Sequence, residues 1–144
     1  MSSLKSQLPE QFSFSCEIPL RITDLNYGGH VGNDRVLALL QEARVQYLAS
    51  KGYSELQVED VSLILTKAQL ELRFELHYGD PIKAFVQVGN FTSKGFDLFY
   101  KLETISNGKP TPAVLAITTM VCYDYQNKKV SSLPENAKRH LANS

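Results

Sequence analysis

One segment of this 144-residue chain, from Thr23 to Arg44, concentrates the side chains that could do chemistry. Its first half is a polar loop that leads directly into a predicted helix starting at Asn33. The start of a helix carries backbone N–H groups without intrahelical acceptors, and these can bind an anion or a developing oxyanion. The glycines Gly28 and Gly29 would let a ligand approach the backbone closely. The segment therefore predicts a ligand site at the helix start.

The same segment offers groups for proton transfer, and each also has a structural interpretation. His30 could act as an acid or a base near neutral pH, or could be a partly buried histidine satisfied by its neighbours. Three carboxylates accompany it, those of Asp24, Asp34 and Glu42. Alternatively, Asp34 stabilises the first helical turn, Asp24 bonds within its own turn, and Glu42 lies on the helix surface. The residue types leave both interpretations open.

The elements that would position these groups are visible in the hydrophobic periodicity. Apolar residues recur at three- and four-residue steps across residues 33–50, which predicts one long helix over this range, terminated by Lys51 and Gly52. A strand is predicted before it at residues 12–22. After the helix the period changes to two, which predicts strands at residues 68–76, 82–91, 96–106 and 113–125. In the first of these strands the polar face would carry Gln69, Glu71, Arg73 and Glu75. A polar loop is predicted at residues 107–112, and a short helix at residues 135–141.

This order of elements predicts an α+β fold, in which an antiparallel sheet curls around the single long helix. We treat residues 1–144 as one domain, with a polar N-terminal extension at residues 1–11. Several strands are apolar on both faces, so the outer face of the sheet should also be buried. We therefore expect a homodimer, or a tetramer made of two dimers.

Composition excludes several classes of function. The chain has 15 Lys and Arg against 15 Asp and Glu, which argues against a general nucleic-acid binder. No apolar run approaches the length of a membrane helix, and no signal peptide is recognisable, so we expect a cytoplasmic protein without membrane contact. Cys16 and Cys122 lack metal-ligand spacing and should be reduced core thiols. No metal, no cofactor and no glycine-rich phosphate loop is predicted.

Taken together, several short motifs resemble the signature of the hotdog-fold thioesterases, in particular the 4-hydroxybenzoyl-CoA thioesterase-like branch. The motifs that carry the resemblance are Asp24-Leu25-Asn26, Gly29-His30-Val31, Asn33, Glu42-Ala43-Arg44 and Tyr78-Gly79-Asp80. The resemblance extends from about residue 12 to residue 134. It implies an antiparallel sheet wrapped around a central helix, and hydrolysis of an acyl-CoA or acyl-carrier thioester.

The chain departs from the 4-hydroxybenzoyl-CoA thioesterase-like branch at one chemically important position. In that branch the second acidic residue of an Asp-x-Asp turn carries the catalytic carboxylate, whereas this chain has Asn26. An amide cannot act as a carboxylate nucleophile or general base, although it can orient a water or donate to a carbonyl. The similar plant acyl-carrier-protein thioesterases have a histidine at the position of His30, which favours His30 as a proton-transfer or positioning group.

We expect a mechanism in which the N–H groups near Val31 and Gly32 polarise the thioester carbonyl. Asn26 and His30 would position the carbonyl or the attacking water. The base would be Asp34, with Asp24, Glu42 or a carboxylate of the opposite subunit as alternatives. Substrate contacts are expected from Tyr27, Gly28, Gly29, Val31, Gly32, Asn33 and Lys94. Arg73 and Lys83 are further candidates for contacts with CoA phosphates.

Two other functions stay open at this stage. The (R)-specific enoyl-CoA hydratases are similar in using an Asp-x-Asn-x-x-His run, which Asp24, Asn26 and His30 approximate with one extra residue. A hydratase would add water to a C=C bond and leave the thioester intact. The chain could also be a non-catalytic acyl-CoA-binding module, since Asn26 replaces the carboxylate.

Overall fold

The computed structural model describes residues 4–143, and its strands form one antiparallel sheet. The elements are β1 (Phe14–Glu17), α1 (Asn33–Ser50), β2 (Ser62–Leu72), β3 (Lys83–Gly89), β4 (Gly95–Ser106), β5 (Lys109–Asp124), β6 (Lys129–Val130) and α2 (Glu135–Ala142). The strand order is β1-β3-β4-β5-β2, with β6 paired to β5. One-turn 3-10 helices lie at Leu4–Gln7 and Ile22–Asp24. The α+β fold class predicted from the sequence is confirmed.

Helix α1 has the predicted bounds and packs over β1 and β3. Its apolar face is buried because these side chains recur once per turn. The buried residues of α1 are Val36, Leu39, Leu40, Ala43, Arg44, Tyr47 and Leu48. No helix within residues 4–143 is long and apolar enough to cross a membrane.

Three strands, β1, β2 and β5, differ markedly from the sequence-based prediction in where they begin or end. Strand β1 is confined to Phe14–Glu17, and β2 begins earlier than residue 68 and ends at Leu72. The chain leaves the sheet after Leu72, where the N–H groups of Arg73 and Phe74 both donate to the carbonyl of Ala113. The predicted loop at residues 107–112 is wrong, because β5 already begins at Lys109. Asn107 and Gly108, with φ of 52° and 75°, make a two-residue hairpin turn instead.

The outer face of the sheet is covered by the chain's own N-terminal segment. Leu4 is buried against Phe99, Leu115 and Ile117, and Leu8 and Phe12 pack against the same cluster. The Leu4 N–H also donates to the Glu71 carboxylate at 2.8 Å. These outer apolar positions therefore need no second subunit, which corrects that part of the sequence-based argument.

Both cysteines are free thiols; Cys122 is buried in the core, as predicted, whereas Cys16 is only partly buried. Cys122 is buried on β5, and this burial, with a smaller contribution from Asp60, raises the pKa of its thiol to about 11. A thiol with such a pKa is protonated at neutral pH and therefore a poor nucleophile.

A buried polar network ties α1 to the sheet. The Arg44 Nε donates to the Glu55 carboxylate at 2.8 Å, and its Nη1 donates to the Tyr100 hydroxyl at 3.1 Å. The Tyr100 and Thr118 hydroxyls are hydrogen-bonded at 2.7 Å. Burial alone would lower the pKa of Arg44, but Tyr100 and Glu55 together raise it, so the guanidinium stays charged.

Replacing Arg44 with alanine should destabilise the fold strongly, because the buried Tyr100 hydroxyl and the partly buried Glu55 carboxylate each lose their bond to its guanidinium. We expect Arg44→Ala to lower the free energy of unfolding by about 3–5 kcal/mol, measured by urea denaturation. Arg35→Ala is the matched control on the same helix, since its half-exposed guanidinium lies 4.0 Å from Asp34. The control should change stability by less than about 0.5 kcal/mol. Equal effects of the two substitutions would contradict a structural role for the network.

Candidate active site

The loop that precedes α1 is a small hairpin with Asn26 as its organising residue. Leu25 and Val31 form a β-bridge, and the Asn26 N–H donates to the His30 carbonyl at 2.7 Å. The Asn26 side-chain oxygen accepts from the N–H of Gly28 at 2.8 Å and from the N–H of His30 at 3.3 Å. Asn26 thus fixes the backbone around the glycines, as an aspartate in the same place would.

This hairpin is joined to the segment that follows β2. The Val31 N–H donates to the Leu76 carbonyl at 2.8 Å, and His30 forms an antiparallel bridge with His77. The His30 Nδ1 consequently lies 3.7 Å from the Oε1 of Glu75. The bridge therefore brings an imidazole and a carboxylate from distant parts of the chain together.

The free backbone donors at the helix start differ from those expected. The Val31 N–H is bound by Leu76, and the Gly32 N–H donates to the Asp24 carbonyl at 3.1 Å. The Arg35 N–H donates to the Gly32 carbonyl at 2.9 Å. Within residues 4–143, the N–H groups of Asn33 and Asp34 have no acceptor. These two N–H groups, at the positive end of the helix dipole, are the ones that can polarise a ligand.

A cavity of about 380 Å³ opens at this point, between the start of α1, the end of β2 and β5. We call it the helix-start pocket. Its polar lining consists of Asn26, His30, Asn33, Arg73 and Glu75. Its remaining lining is apolar and consists of Val31, Val36, Leu72, Phe74, Leu76, Ala113 and Val114. Four of the predicted site residues are thus brought together: Asn26, His30, Val31 and Asn33.

The three carboxylates predicted as bases do not line the helix-start pocket. Asp24 and Glu42 line a separate cavity of about 420 Å³ beside α1. The buried Asp24 carboxylate accepts from the backbone N–H of Arg21 at 2.9 Å, and Glu42 accepts from Gln46 at 2.7 Å. The Asp34 side chain is 83% exposed and lines neither cavity.

The remaining predicted contacts are scattered. Tyr27 is fully exposed at the tip of the hairpin, beside Gly28 and Gly29. Lys94 lies in the turn before β4, where its Nζ donates to the Ser132 hydroxyl at 3.4 Å.

Lys94 and the helix-start pocket lie at opposite ends of the sheet in one chain. Its neighbour Gly95 pairs with Val121, whereas the pocket residue Val114 pairs with Leu102. Positions 95 and 102 are seven residues apart along β4, roughly 23 Å at about 3.3 Å per residue.

The two other cations considered for phosphate contacts differ in position. Arg73 lines the helix-start pocket and is paired with Glu71, with 3.2 Å between Nε and Oε1. Lys83 lies on β3 with its Nζ 5.2 Å from the Phe85 ring centroid, outside the pocket. Arg73 is therefore the cation in position to meet a phosphate at this site.

Glu75 is the functional candidate that the sequence analysis did not identify. It is the one carboxylate among the lining residues of the helix-start pocket in the described part of the chain. The alternation of residues 68–76 assigned it to a solvent-facing position of a strand, but β2 ends at Leu72. One feature of the sequence could have pointed to Glu75. It lies close to the Tyr78-Gly79-Asp80 turn, where a strand ends and side chains from different segments come together.

The arrangement has the parts needed for attack of water on a carbonyl. Two free N–H groups can donate to an oxygen on which negative charge develops, and the imidazole of His30 has Glu75 on one side. The apolar half of the lining can hold a hydrocarbon or aromatic group next to these donors.

Comparison with solved structures identifies the fold. A 1,4-dihydroxy-2-naphthoyl-CoA thioesterase from Synechocystis superposes with a TM-score of 0.78 at 21% identity, covering 90% of this chain and 96% of that one. A thioesterase superfamily protein from Jannaschia gives 0.80 at 16% identity, with 97% and 88% covered. A mutant 4-hydroxybenzoyl-CoA thioesterase, complexed with 4-hydroxybenzoyl-CoA, gives 0.79 at 12% identity, with 89% and 97% covered.

Sequence comparison gives the family. A search of curated protein sequences finds no significant match. The family model described as the thioesterase-like superfamily matches residues 20–141, which include the hairpin, α1 and the whole of β2 to β5. The match covers most of the chain, and the solved structures share its curled sheet and long helix, so this chain belongs to the thioesterase-like superfamily and has the hotdog fold.

Proposed function

We propose that this protein hydrolyses an acyl-CoA thioester to a carboxylic acid and free CoA. Membership of the thioesterase-like superfamily supports the reaction class. The single observation that carries the assignment to this pocket is the 3.7 Å approach of Glu75 to His30 beside the free N–H groups of α1. An acyl-carrier thioester would present the same reacting group.

The thioester carbonyl would bind at the start of α1. The Asn33 residue lines the pocket, and its N–H, with that of Asp34, has no acceptor within residues 4–143. Both groups lie at the positive end of the helix dipole, where charge on the carbonyl oxygen is stabilised. Loss of one such donor costs about 10²–10³ in rate in other hydrolases.

His30 would act as the general base, with Glu75 holding its imidazole and stabilising the imidazolium. His30 takes a proton from water as the water oxygen bonds to the carbonyl carbon. The C–S bond then breaks, and the imidazolium returns the proton to the departing thiolate. Asn26 orders the hairpin that carries His30, through its bonds to the Gly28 and His30 N–H groups. Asp34, Asp24 and Glu42 are less suited as bases, since they do not line the pocket.

The lining of the pocket suits an acyl-CoA. Leu72, Phe74, Ala113 and Val114 offer an apolar surface for the acyl group. Arg73 at the same cavity can meet a phosphate of the carrier through its guanidinium.

Removing either member of the His30–Glu75 pair should reduce turnover more than binding. We expect His30→Ala to lower kcat by about 10²–10⁴ with KM little changed, because general-base catalysis contributes that much. Glu75→Gln should lower kcat by at least about 10-fold. The measurement is steady-state hydrolysis of an acyl-CoA panel.

Glu42→Gln is the matched control for Glu75→Gln, because the same change is made outside the helix-start pocket. It should leave kcat within about twofold of the unsubstituted protein. If Glu42→Gln is inactive and Glu75→Gln is fully active, the base belongs to the second cavity and the proposed pair is wrong.

Release of free thiol separates hydrolysis from the two alternatives. A thiol reagent should report one equivalent of CoA for each acyl-CoA consumed. A hydratase would consume an enoyl-CoA without thiol release, and a binding module would bind acyl-CoA with no turnover. Either of these results across saturated, unsaturated and aromatic acyl-CoAs would exclude the proposed reaction.

The proposed active form is a homodimer joined through β2. This strand lies at the edge of the sheet, and within residues 4–143 its one partner strand is β5. Helix α1 packs over β1 and β3, at the other edge of the sheet. Leu70 and Leu72 pair with the buried Ala116 and Val114 of β5, so their side chains lie on the same, helix side of the sheet. Both leucines are nevertheless exposed. A long edge strand with exposed apolar residues is a surface for pairing with another strand.

A twofold pairing of β2 with its copy would also complete the site. Antiparallel pairing of the two strands brings the far end of the second sheet, where Lys94 lies, towards the helix-start pocket of the first chain. This arrangement would reconcile Lys94 as a CoA phosphate contact with its distance from the pocket of its own chain. The pocket is bordered by Leu72 and Phe74, so the second copy would also shield it from water.

A charge placed on β2 should therefore dissociate the protein and abolish its activity. We expect Leu70→Arg to sediment as a monomer in analytical ultracentrifugation and to lose hydrolysis at micromolar concentration, while circular dichroism shows an intact fold. Ile105→Arg is the control, since Ile105 is a half-exposed apolar strand residue in the β4–β5 hairpin. It should remain dimeric and active. A monomeric protein that is fully active at high dilution would refute the dimer.

A further inference from the structure

A second imidazole lies beside the His30–Glu75 pair, and the proposed hydrolysis does not use it. The His77 Nε2 is 3.8 Å from the Oε2 of Glu75, while the His30 Nδ1 is 3.7 Å from the Oε1 of the same carboxylate. The two imidazole rings meet edge-on with their centroids 5.4 Å apart. One carboxylate is thus flanked by two histidine nitrogens, each on a different oxygen.

The spacing of these three groups suits a metal ion. The candidate ligand atoms of His30, Glu75 and His77 all lie within 4.8 Å of one another. Zinc bonds histidine nitrogen and carboxylate oxygen at about 2.0–2.2 Å, which puts tetrahedral ligands about 3.3–3.6 Å apart. The three side chains are partly exposed, so rotations that move the atoms by at most about 1.5 Å would close the site.

The backbone and the next shell of side chains hold the cluster in place. His30 and His77 face each other in an antiparallel β-bridge, and next to this bridge the Val31 N–H donates to the Leu76 carbonyl. The Asp80 Oδ2 accepts from the His77 N–H at 2.8 Å and lies 3.6 Å from the His77 Nδ1. A carboxylate on Nδ1 directs the Nε2 of a histidine towards a metal, as in many zinc sites.

We propose that His30, Glu75 and His77 form a binding site for a divalent transition-metal ion such as Zn²⁺, with Asp80 holding His77 in position. Two imidazoles and one carboxylate are a donor set of the type that zinc uses when it keeps a fourth position open for water or another ligand. The ion would be inhibitory, because it takes the nitrogen of His30 that faces Glu75 and the carboxylate that supports it. Metal binding itself requires no thioester and is independent of the proposed reaction.

Binding of Zn²⁺ alone tests the site directly. Isothermal titration of the chelator-treated full chain should give one zinc ion per chain. His77→Ala and Glu75→Gln should each weaken binding by at least about 10-fold, and Asp80→Asn by about 10-fold or more. His140→Ala is the control, because the third histidine of the chain lies elsewhere, with its Nε2 2.8 Å from the Lys51 carbonyl. Unchanged affinity in both His77→Ala and Glu75→Gln, or equal loss in His140→Ala, would overturn the proposal.

Inhibition gives a second readout that separates the metal site from the hydrolysis. Zn²⁺ should inhibit the unsubstituted protein with a midpoint equal to the dissociation constant from the titration. His77→Ala should keep its hydrolysis rate and become insensitive to that zinc concentration, since His77 does not line the helix-start pocket. Zinc inhibition of His77→Ala at an unchanged midpoint would contradict the site. If no acyl-CoA is hydrolysed at all, the proposed function fails while the titration still decides the metal site.

Discussion

The structure of the candidate site depends on one short antiparallel contact, between the hairpin before α1 and the segment after β2. The Val31 N–H donates to the Leu76 carbonyl at 2.8 Å, next to the bridge between His30 and His77. These are backbone interactions, so they fix where α1 begins relative to the end of β2 whatever side chains surround them. Because of this contact, Asn33 and Glu75 line the same cavity.

The coverage of the sheet leaves one of its edges open beside the candidate site. Helix α1 packs over β1 and β3, and the N-terminal segment covers the outer face around Phe99 and Ile117. On the helix side of β2, Leu65, Leu70 and Leu72 stay exposed, and Leu72 borders the helix-start pocket as well as this uncovered surface. In the proposed dimer, one hydrophobic surface thus serves both association and closure of the site, which couples activity to assembly.

How much the sequence predicted depends on whether a feature is local. The bounds of α1 follow from side-chain periodicity within one segment, and they are confirmed. Which carboxylate lines the helix-start pocket depends instead on contacts between residues far apart in the sequence. Asp34 directly follows Asn33, but successive residues of a helix point about 100° apart, and its side chain faces solvent. Glu75 was assigned to the solvent face of a strand, because nothing in the alternation shows that Arg73 and Phe74 leave the sheet at Ala113.

The presence of Glu75 in the helix-start pocket gives a physical reason for an amide, and not a carboxylate, at position 26. Both residues line the helix-start pocket, together with the guanidinium of Arg73. A second carboxylate at position 26 would lie in the same cavity as Glu75, and like charges in one site disfavour each other's ionisation. An amide keeps the hydrogen bonds that order the hairpin and adds no charge. In the proposed mechanism, the negative charge that supports proton transfer therefore lies on the segment after β2 and not on the loop, and it acts through His30, 3.7 Å away.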